Sequence, residues 1–332
     1  MGSSEGTSRP NGEPRPSDTR RAILDEIDRH AQTLKAIALE IHANPELGFE
    51  EHRAAKLWSD LLEQEGFDVE RGIAGLDTAF QATTGSGNVT AALMVEYDAL
   101  PDLGHACGHH VSGAASCGAA LGLRAVIGQL DGRVIAFGSP AEEGLSGKCY
   151  IVEAGFLEGV DFAMMSHARD RNIGAMSHTA TAKFRVKYHG KSAHAAAAPE
   201  HAINALDAMI QLFNGINAMR QQVRDNARIH GVILKGGSVP NIIPDYSEAT
   251  FYIRDFEDYY LQELVRKFMD IVEGAALQTG ARAEVEDYGR STKSNIPNPI
   301  LDGAYRQNAA ELGVVIDEEE DTFSRGSTDM GD

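Results

Sequence analysis

Apolar residues near the start of the chain recur every three or four positions, which is the spacing of one face of an α-helix. Ile23, Ile27 and Ile41 belong to a first such series, and Leu57 and Leu61 belong to a second series. Polar residues occupy most of the positions between them, where a helix would face water. The pattern therefore predicts two amphipathic helices at the start of the fold.

The next part of the chain alternates between strand-like and helical patterns. Short apolar runs have the length and composition of strands at residues 78–83, 89–96, 133–137 and 162–165. Helical periodicity lies between them at residues 111–127 and 146–154. This alternation predicts an α/β layer with a mostly parallel sheet, which binds its ligands at the carboxyl ends of the strands. We therefore expect a site among the polar residues that follow these runs: Asp98, Cys107, Glu142 and His167.

The order of predicted elements changes after Gly174. There, strand and helix patterns follow in the order β-α-β-β-α-β. They occupy residues 182–188, 201–224, 229–234, 249–253, 259–277 and 283–285. That order is the signature of a split, ferredoxin-like α+β sandwich. We expect this unit to be inserted into the α/β domain, with residues 298–312 returning to that domain as a helix.

The chain of 332 residues is long enough for two cores, and its hydrophobic fraction of 42% is sufficient to fill both. The patterns predict four segments. They are a disordered tail at residues 1–19, a first part of the α/β domain at 20–174, the inserted unit at 175–292 and a second part of the α/β domain at 293–332.

The formal net charge of −19 argues against a nucleic-acid or anionic-membrane partner, because such surfaces require clustered Lys and Arg. The cysteines, Cys107, Cys117 and Cys149, are odd in number and irregular in spacing. A disulfide framework is therefore not expected, and a reducing, cytoplasmic location is the default. The chain also shows no apolar run that suits a signal sequence or a membrane span, so we expect a soluble protein.

The segment from Gly104 to His110 holds one thiol and three imidazoles within seven residues. Cys107 and His109 are two positions apart, so both side chains can point to one side, and Gly108 allows a close approach of the backbone. This density of ligands predicts a metal site. The alternative is a buried thiol beside a hydrogen-bonded histidine.

Adjacent carboxylates at Glu142 and Glu143 lie in a turn that follows the run at 133–137. One could bind a metal while the other acts as a general base on water. A Glu pair on a solvated surface is the alternative. Asp98 and His167 end apolar runs in the same manner, and each could be either a ligand or a helix cap.

Together these motifs closely resemble the amidohydrolase branch of metallopeptidase family 20. The resemblance is carried by residues 96–101, 104–109, 140–143, 167, 190–194 and 240–245. Within that branch the chain is most similar to the p-aminobenzoyl-glutamate hydrolase and Xaa-Arg dipeptidase group. The resemblance implies a catalytic domain of zinc-peptidase type with an inserted dimerisation or lid domain, and hence a homodimer.

The resemblance also implies a role for each matching residue. The metal ligands would be Cys107, His109, Glu143 and His167, with Glu142 as general base and Asp98 orienting the site. The intact family site holds two divalent ions, and a thiolate favours zinc, with manganese or cobalt as alternatives.

In the inserted unit, the resemblance makes His194 the residue that stabilises the carbonyl oxyanion, often across a dimer interface. Asn241 and Arg254 would bind the carbonyl and the carboxylate of the substrate, since an Arg fork suits a carboxylate. The alternatives are a turn histidine for His194 and a surface ion pair for Arg254. The implied reaction is hydrolysis of an amide bond next to a free carboxylate, in a small N-acyl amino acid or a dipeptide.

The chain departs from the family pattern in two places. His110 stands where the family usually has Asp or Asn, and we expect it and His105 to support the site without binding metal. The chain stops at residues 326–332, whereas the family continues to a last histidine ligand. We therefore expect a truncated chain, and the alternative function is that of a non-catalytic homologue that binds or dimerises.

Overall fold

The computed structural model describes residues 16–295, 297–317, 323–324 and 329–330. Contacts divide the chain into two compact units, unit 1 (Met1–Asp170) and unit 2 (Arg171–Asp332). Within the described residues, no helix has both the length and the apolar character that crossing a membrane requires.

Unit 1 is a mixed α/β layer. Its helices are α1 (Pro16–Ala43), α2 (His52–Gln64), α3 (His109–Arg124), the single turn α4 (Glu142–Leu145) and α5 (Gly147–Glu153). Its strands are β1 (Asp68–Arg71), β2 (Phe80–Gly85), β3 (Val89–Val95), β4 (Gly132–Gly138) and β5 (Phe162–Met164). The sheet order is β1-β2-β4-β3-β5, with β4, β3 and β5 parallel and with β1 and β2 antiparallel at one edge.

The core of unit 1 lies between this sheet and the first three helices. Trp58 and Leu62 of α2 and Leu121 of α3 are fully buried there, as are Val95 and Ala136 near the ends of two central strands. A large apolar side chain contributes about 1.5–3 kcal/mol when it is fully buried. The apolar runs of the sequence therefore form the buried centre of the sheet, and polar residues follow them at the carboxyl ends of the strands. The predicted α/β class is confirmed.

Unit 2 contains the predicted β-α-β-β-α-β sandwich. Its elements are β7 (Ala180–His189), α6 (Ala205–Met219), β8 (Arg228–Lys235), β9 (Tyr246–Asp255), α7 (Asp258–Thr279) and β10 (Arg282–Asp287). The sheet is antiparallel in the order β10-β7-β9-β8. Alternate residues of β7, among them Val186 and Tyr188, are buried with the apolar sides of α6 and α7, and the Tyr188 hydroxyl donates to Val272 O at 2.8 Å.

The remaining elements of unit 2 are the short parallel strands β6 (Ser177–His178) and β11 (Phe323–Ser324) and the helix α8 (Pro299–Glu311). Asn298 caps α8, since its side chain accepts hydrogen bonds from Ile300 N and Leu301 N. Asp302 Oδ1 accepts from Ala175 N at 2.7 Å. These contacts lie within unit 2, which also includes residues 293–317. The predicted return of that segment to the α/β domain stays a prediction.

Several boundaries differ from those expected from the sequence. The helix predicted at 201–224 is shorter, because the Asn204 side chain accepts from Leu206 N and Asp207 N and so starts α6 at Ala205. Strand β1 was not predicted, because its side chains are mostly charged and exposed. Helix α1 begins at Pro16, so residues 16–19 of the predicted tail are helical, while residues 1–15 and most of the final motif at 326–332 lie outside the described residues.

Candidate metal centre

The carboxyl ends of the three parallel strands place the candidate residues at one edge of the sheet. Asp98 follows β3, Glu142 follows β4 and His167 follows β5. Neighbouring parallel strands end at the same edge, so these side chains converge. Cys107 differs from the expectation, because it does not directly follow a strand but precedes α3.

Gly108 links Cys107 to the first residue of α3, His109. Its φ of 86° lies in the left-handed region, which a side chain strains. A Cβ atom at this position would also come within 2.7 Å of Ala168 Cβ. Only glycine therefore allows the tight link that turns Cys107 and His109 towards a common point.

The donor atoms of the candidate ligands gather around His109. One donor atom each of Cys107, His109 and His167 lies within 4.8 Å of the other two, and the same is true of His109, Glu142 and Glu143. His109 is fully buried, while His167 is exposed. The structure thus brings the four proposed ligands and the proposed base together, with His109 shared by both groups.

Asp98 holds two members of this cluster. Its Oδ1 lies 2.7 Å from His109 Nδ1, and its Oδ2 accepts a hydrogen bond from Glu143 N at 2.9 Å. A buried carboxylate on Nδ1 keeps the proton there and directs Nε2 to a ligand. These are the contacts that an orienting residue would make.

The cluster passes a simple test of fit to a divalent ion. His167 Nδ1 is 2.8 Å from Ala168 O, so both histidines have an oxygen partner at Nδ1, as metal-binding histidines usually do. Glu143 Oε1 is buried and accepts no hydrogen bond from the described residues. A cation would satisfy that oxygen.

Glu51, which the sequence analysis missed, fixes the backbone just before the two glutamates. Its Oε1 accepts from Ala141 N at 2.7 Å and its Oε2 accepts from Thr78 Oγ1 at 3.0 Å. Ala141 has a φ of 55°, a left-handed conformation that is unfavourable for alanine. Burial raises the pKa of the Glu51 carboxyl to about 7. The sequence gives no signal for this role, since Glu50 and Glu51 form a doublet typical of a solvated surface.

A second buried carboxylate, Glu96, lies at the end of β3. Its Oε1 is 2.5 Å from Lys148 Nζ, and both side chains are almost completely buried. Its Oε2 is 3.9 Å from His109 Nε2. Glu96 belongs to one of the family motifs, but neither it nor Lys148 was singled out from the sequence for a role.

His105 and His110, the remaining histidines of the heptapeptide, form a separate ring cluster with His42. The ring centroids of His110 lie 4.9 Å from His42 and 5.0 Å from His105. Burial lowers the pKa of His105, and it lowers that of His110 to about 4. Among the described residues, neither belongs to a group of converging donor atoms, and their supporting role stays a prediction.

In unit 2, the structure brings His194 and Asn241 together. Ala195 N donates to Asn241 O at 3.0 Å, and His194 Nδ1 accepts from Ala196 N and Ala197 N. Both side chains are exposed. Arg254 is half-buried near the end of β9, over the Tyr252 ring, and its buried Nη1 has no hydrogen-bond partner among the described residues.

Comparison with known proteins decides the family. A family model described as the peptidase dimerisation domain matches residues 176–280, which contain the ferredoxin-like unit except its last strand, β10. The Xaa-Arg dipeptidase of Mus musculus is 38% identical to this chain over 328 residues, covering 94% of the chain and 76% of the relative. The chain belongs to metallopeptidase family M20.

Other M20 relatives agree with this assignment. A p-aminobenzoyl-glutamate hydrolase polypeptide of Escherichia coli is 33% identical, covering 89% of this chain and 65% of the relative. The crystal structure of a Bacillus subtilis protein, described as a dinuclear metal binding peptidase from the M20 family, matches with a TM-score of 0.70 at 24% identity. The match covers 92% of this chain and 85% of that chain. The predicted family, its amidohydrolase branch and the class of peptide- or amide-bond hydrolase are confirmed, and the non-catalytic alternative is not favoured.

Within the M20 dimerisation domain, the three candidate substrate contacts fall at opposite ends of the sheet. Asn241 precedes β9 at Tyr246, whereas Arg254 lies eight positions further along the strand. At about 3.3 Å per residue, this separates the two ends by roughly 26 Å. In one copy of the domain, Arg254 therefore lies at the far end of β9 from the strand end that Asn241 precedes.

Proposed function

We propose that this chain hydrolyses an amide bond next to a free carboxylate, in a dipeptide or an N-acyl amino acid. The observation that carries the proposal is the convergence of thiol, imidazole and carboxylate donors around the buried ring of His109. Support for the substrate class comes from the relatives, which are named for Xaa-Arg dipeptides and for p-aminobenzoyl-glutamate.

The proposed metal ligands are Cys107, His109, Glu143 and His167. A thiolate among nitrogen and oxygen ligands suits zinc, with manganese and cobalt as the other metals of interest, and does not suit calcium or magnesium. A divalent ion at such a site lowers the pKa of water and polarises a carbonyl group.

Glu142 is the proposed general base. Its carboxylate lies within 4.8 Å of donor atoms of His109 and Glu143, so it faces the same space as the ligands. It would accept a proton from the attacking water and deliver it to the leaving amine. Asp98 and Glu51 would keep the turn that carries Glu142 in place through Glu143 N and Ala141 N.

Arg254 is the proposed partner of the substrate carboxylate, while His194 and Asn241 would contact the carbonyl group. The separation of these residues along β9 supports a homodimer in which one copy supplies Arg254 and the other supplies His194 and Asn241. The match of residues 176–280 to a dimerisation domain supports the same arrangement.

A cytoplasmic location is part of the proposal. No disulfide joins Cys107, Cys117 and Cys149, and Cys107 must be reduced to bind metal. The net charge of −19 argues against a nucleic-acid or anionic-membrane partner.

The test is hydrolysis of dipeptides that end in Arg and of p-aminobenzoyl-glutamate by the zinc-loaded protein. Glu142→Gln should lower kcat by about 100-fold to 10,000-fold with zinc retained, because it removes the base and keeps the shape. Glu153→Gln, at the exposed end of α5, is the matched control and should behave as the wild type. Equal turnover by Glu142→Gln and the wild type would rule out the assigned mechanism.

A further inference from the structure

We propose that Glu96 is a further ligand of the metal centre through its Oε2 atom, and that Lys148 holds its other oxygen. This inference rests on the proposed function, since it concerns the same centre. Glu96 is not among the ligands proposed above, which are Cys107, His109, Glu143 and His167. The geometry around His109 Nε2 is the reason for adding it.

Glu96 lies beside the ring nitrogen of His109 that is directed to the proposed metal centre. Asp98 lies at 2.7 Å from Nδ1, so Nε2 is the ring nitrogen directed to a metal. Glu96 Oε2 is 3.9 Å from this Nε2 atom. Both side chains are fully buried. Glu96 immediately follows the last residue of β3, so the end of this strand fixes its backbone.

The distance between the two atoms is slightly longer than that between two ligands of one ion. With metal–ligand bonds of about 2.0–2.2 Å, two donors on one ion lie roughly 3.0–3.6 Å apart at octahedral to tetrahedral angles. The separation of 3.9 Å between Oε2 and Nε2 exceeds this range by a few tenths of an ångström. A small rotation of the Glu96 side chain closes that gap without moving the strand.

Lys148 accounts for the other oxygen of Glu96. Its Nζ lies 2.5 Å from Oε1, and only 4% of its side chain is exposed. Lys148 is in the first turn of α5, directly after the turn that carries Glu142 and Glu143. The carboxylate thus contacts an ammonium group through one oxygen and lies near His109 Nε2 through the other, which fixes its orientation.

A purely structural ion pair would predict a different outcome on removal. Replacing both members of a buried pair by apolar residues of similar volume is often neutral for stability. The double substitution Glu96→Met with Lys148→Met therefore removes both charges without leaving either one buried alone. It tests whether the centre needs the Glu96 oxygen.

The experiment titrates the metal-stripped full-length protein with cobalt(II) chloride and follows the visible absorption of the bound ion. Wild type, Lys148→Met and the double variant are compared, with folding checked by circular dichroism. The control removes another ion pair of unit 1, Arg124 with Glu65, by two Met substitutions. Arg124 is the last residue of α3 and His109 is the first, so about 22 Å of helix separates them.

We expect the double variant to bind cobalt at least 100-fold more weakly and with a changed absorption spectrum, because the ion loses an oxygen ligand. Lys148→Met should keep the spectrum of the wild type, and so should the control. If the double variant does not fold, Glu96→Gln gives the same comparison, because it keeps the shape and replaces the carboxylate by an amide.

If the double variant has the same spectrum as the wild type, Glu96 is not a ligand and the assignment is overturned. This holds even if cobalt affinity falls tenfold to hundredfold, because residues that do not bind the metal directly can produce losses of that size. A wild-type protein that binds no cobalt would overturn both this inference and the proposed function. Full activity of Glu142→Gln alongside the expected cobalt spectra would overturn the mechanism and leave Glu96 as a ligand.

Discussion

The candidate residues of unit 1 and those of unit 2 are held in opposite ways. Asp98 and His109 are fully buried and bonded to each other at 2.7 Å, and the turn carrying Glu142 is fixed at its backbone. His194 and Asn241 are exposed on loops of unit 2, and their side chains face solvent in a single copy of the chain.

The donors of unit 1 are therefore preorganised, whereas His194 and Asn241 of unit 2 can gain contacts from another molecule. A buried, hydrogen-bonded set of donors keeps its geometry without a ligand, which is what metal binding and general-base catalysis require. Exposed polar side chains on loops have fewer packing neighbours, so another molecule can supply further contacts to them. Changes in unit 1 should therefore act on metal binding and kcat, and changes in unit 2 on KM.

The largest effect among the changes that probe this comparison is expected for Asp98→Asn. The amide cannot hold the proton on His109 Nδ1 as a carboxylate does, so kcat or zinc affinity should fall by about 100-fold. Zinc content and steady-state kinetics provide the measurement. Asp131→Asn is the control, because Asp131 also accepts a backbone hydrogen bond, from Asn88 N, but precedes β4. Equal losses in both variants would contradict the proposed role of Asp98.

A smaller effect is expected in unit 2 for Arg254→Lys. An ammonium group cannot bind a carboxylate through two parallel hydrogen bonds, so KM should rise about tenfold with kcat and zinc content nearly unchanged. Arg228→Lys, at the position paired with Arg254 on the neighbouring strand, is the control. The comparison between the two units would fail if Arg254→Lys lowered kcat and left KM unchanged.

The smallest effect on turnover is expected for Glu51→Gln, which instead probes the pH dependence of stability. The folded pKa of Glu51 is raised by burial from 4.5 to about 7, so the folded state binds a proton that the unfolded state releases at lower pH. Stability from this group is therefore lost as pH rises from about 4.5 to 7, by about 3 kcal/mol at most.

Urea unfolding of the metal-free wild type and of Glu51→Gln at pH 5 and pH 8 measures this contribution. The amide does not ionise, so the variant should gain stability relative to the wild type at pH 8. Parallel pH profiles of the two proteins would show that the buried carboxyl does not titrate between those values.

Much of the fold was predictable, because burial follows local periodicity. The apolar runs before Asp98, Glu142 and His167 form the three parallel strands, and the β-α-β-β-α-β order was correct. Strand β1 was missed because its pairing with β2, and not its own apolar content, places it in the sheet. The start of α6 depends on Asn204 as a cap, a signal that apolar periodicity does not contain.

The candidate centre was predictable where motifs concentrate ligand chemistry, as at Cys107 and His109. Glu51 and Lys148 were not predictable in the same way. Glu51 lies 90 positions from Ala141, whose amide it accepts, and the ion pair of Lys148 forms only when α5 packs at the sheet edge. The hydrogen-bond and ion-pair partners of Glu51 and Lys148 are determined by tertiary packing, so no local sequence pattern predicts them.

The most direct test of the central claim is the zinc content of purified protein after dialysis, for the wild type and for His109→Ala. His109 belongs to both groups of converging donors, so its loss should remove the bound zinc, while His201→Ala, on the exposed surface of unit 2, should retain it. Equal zinc content in His109→Ala and the wild type, or a wild type without zinc, would contradict the account.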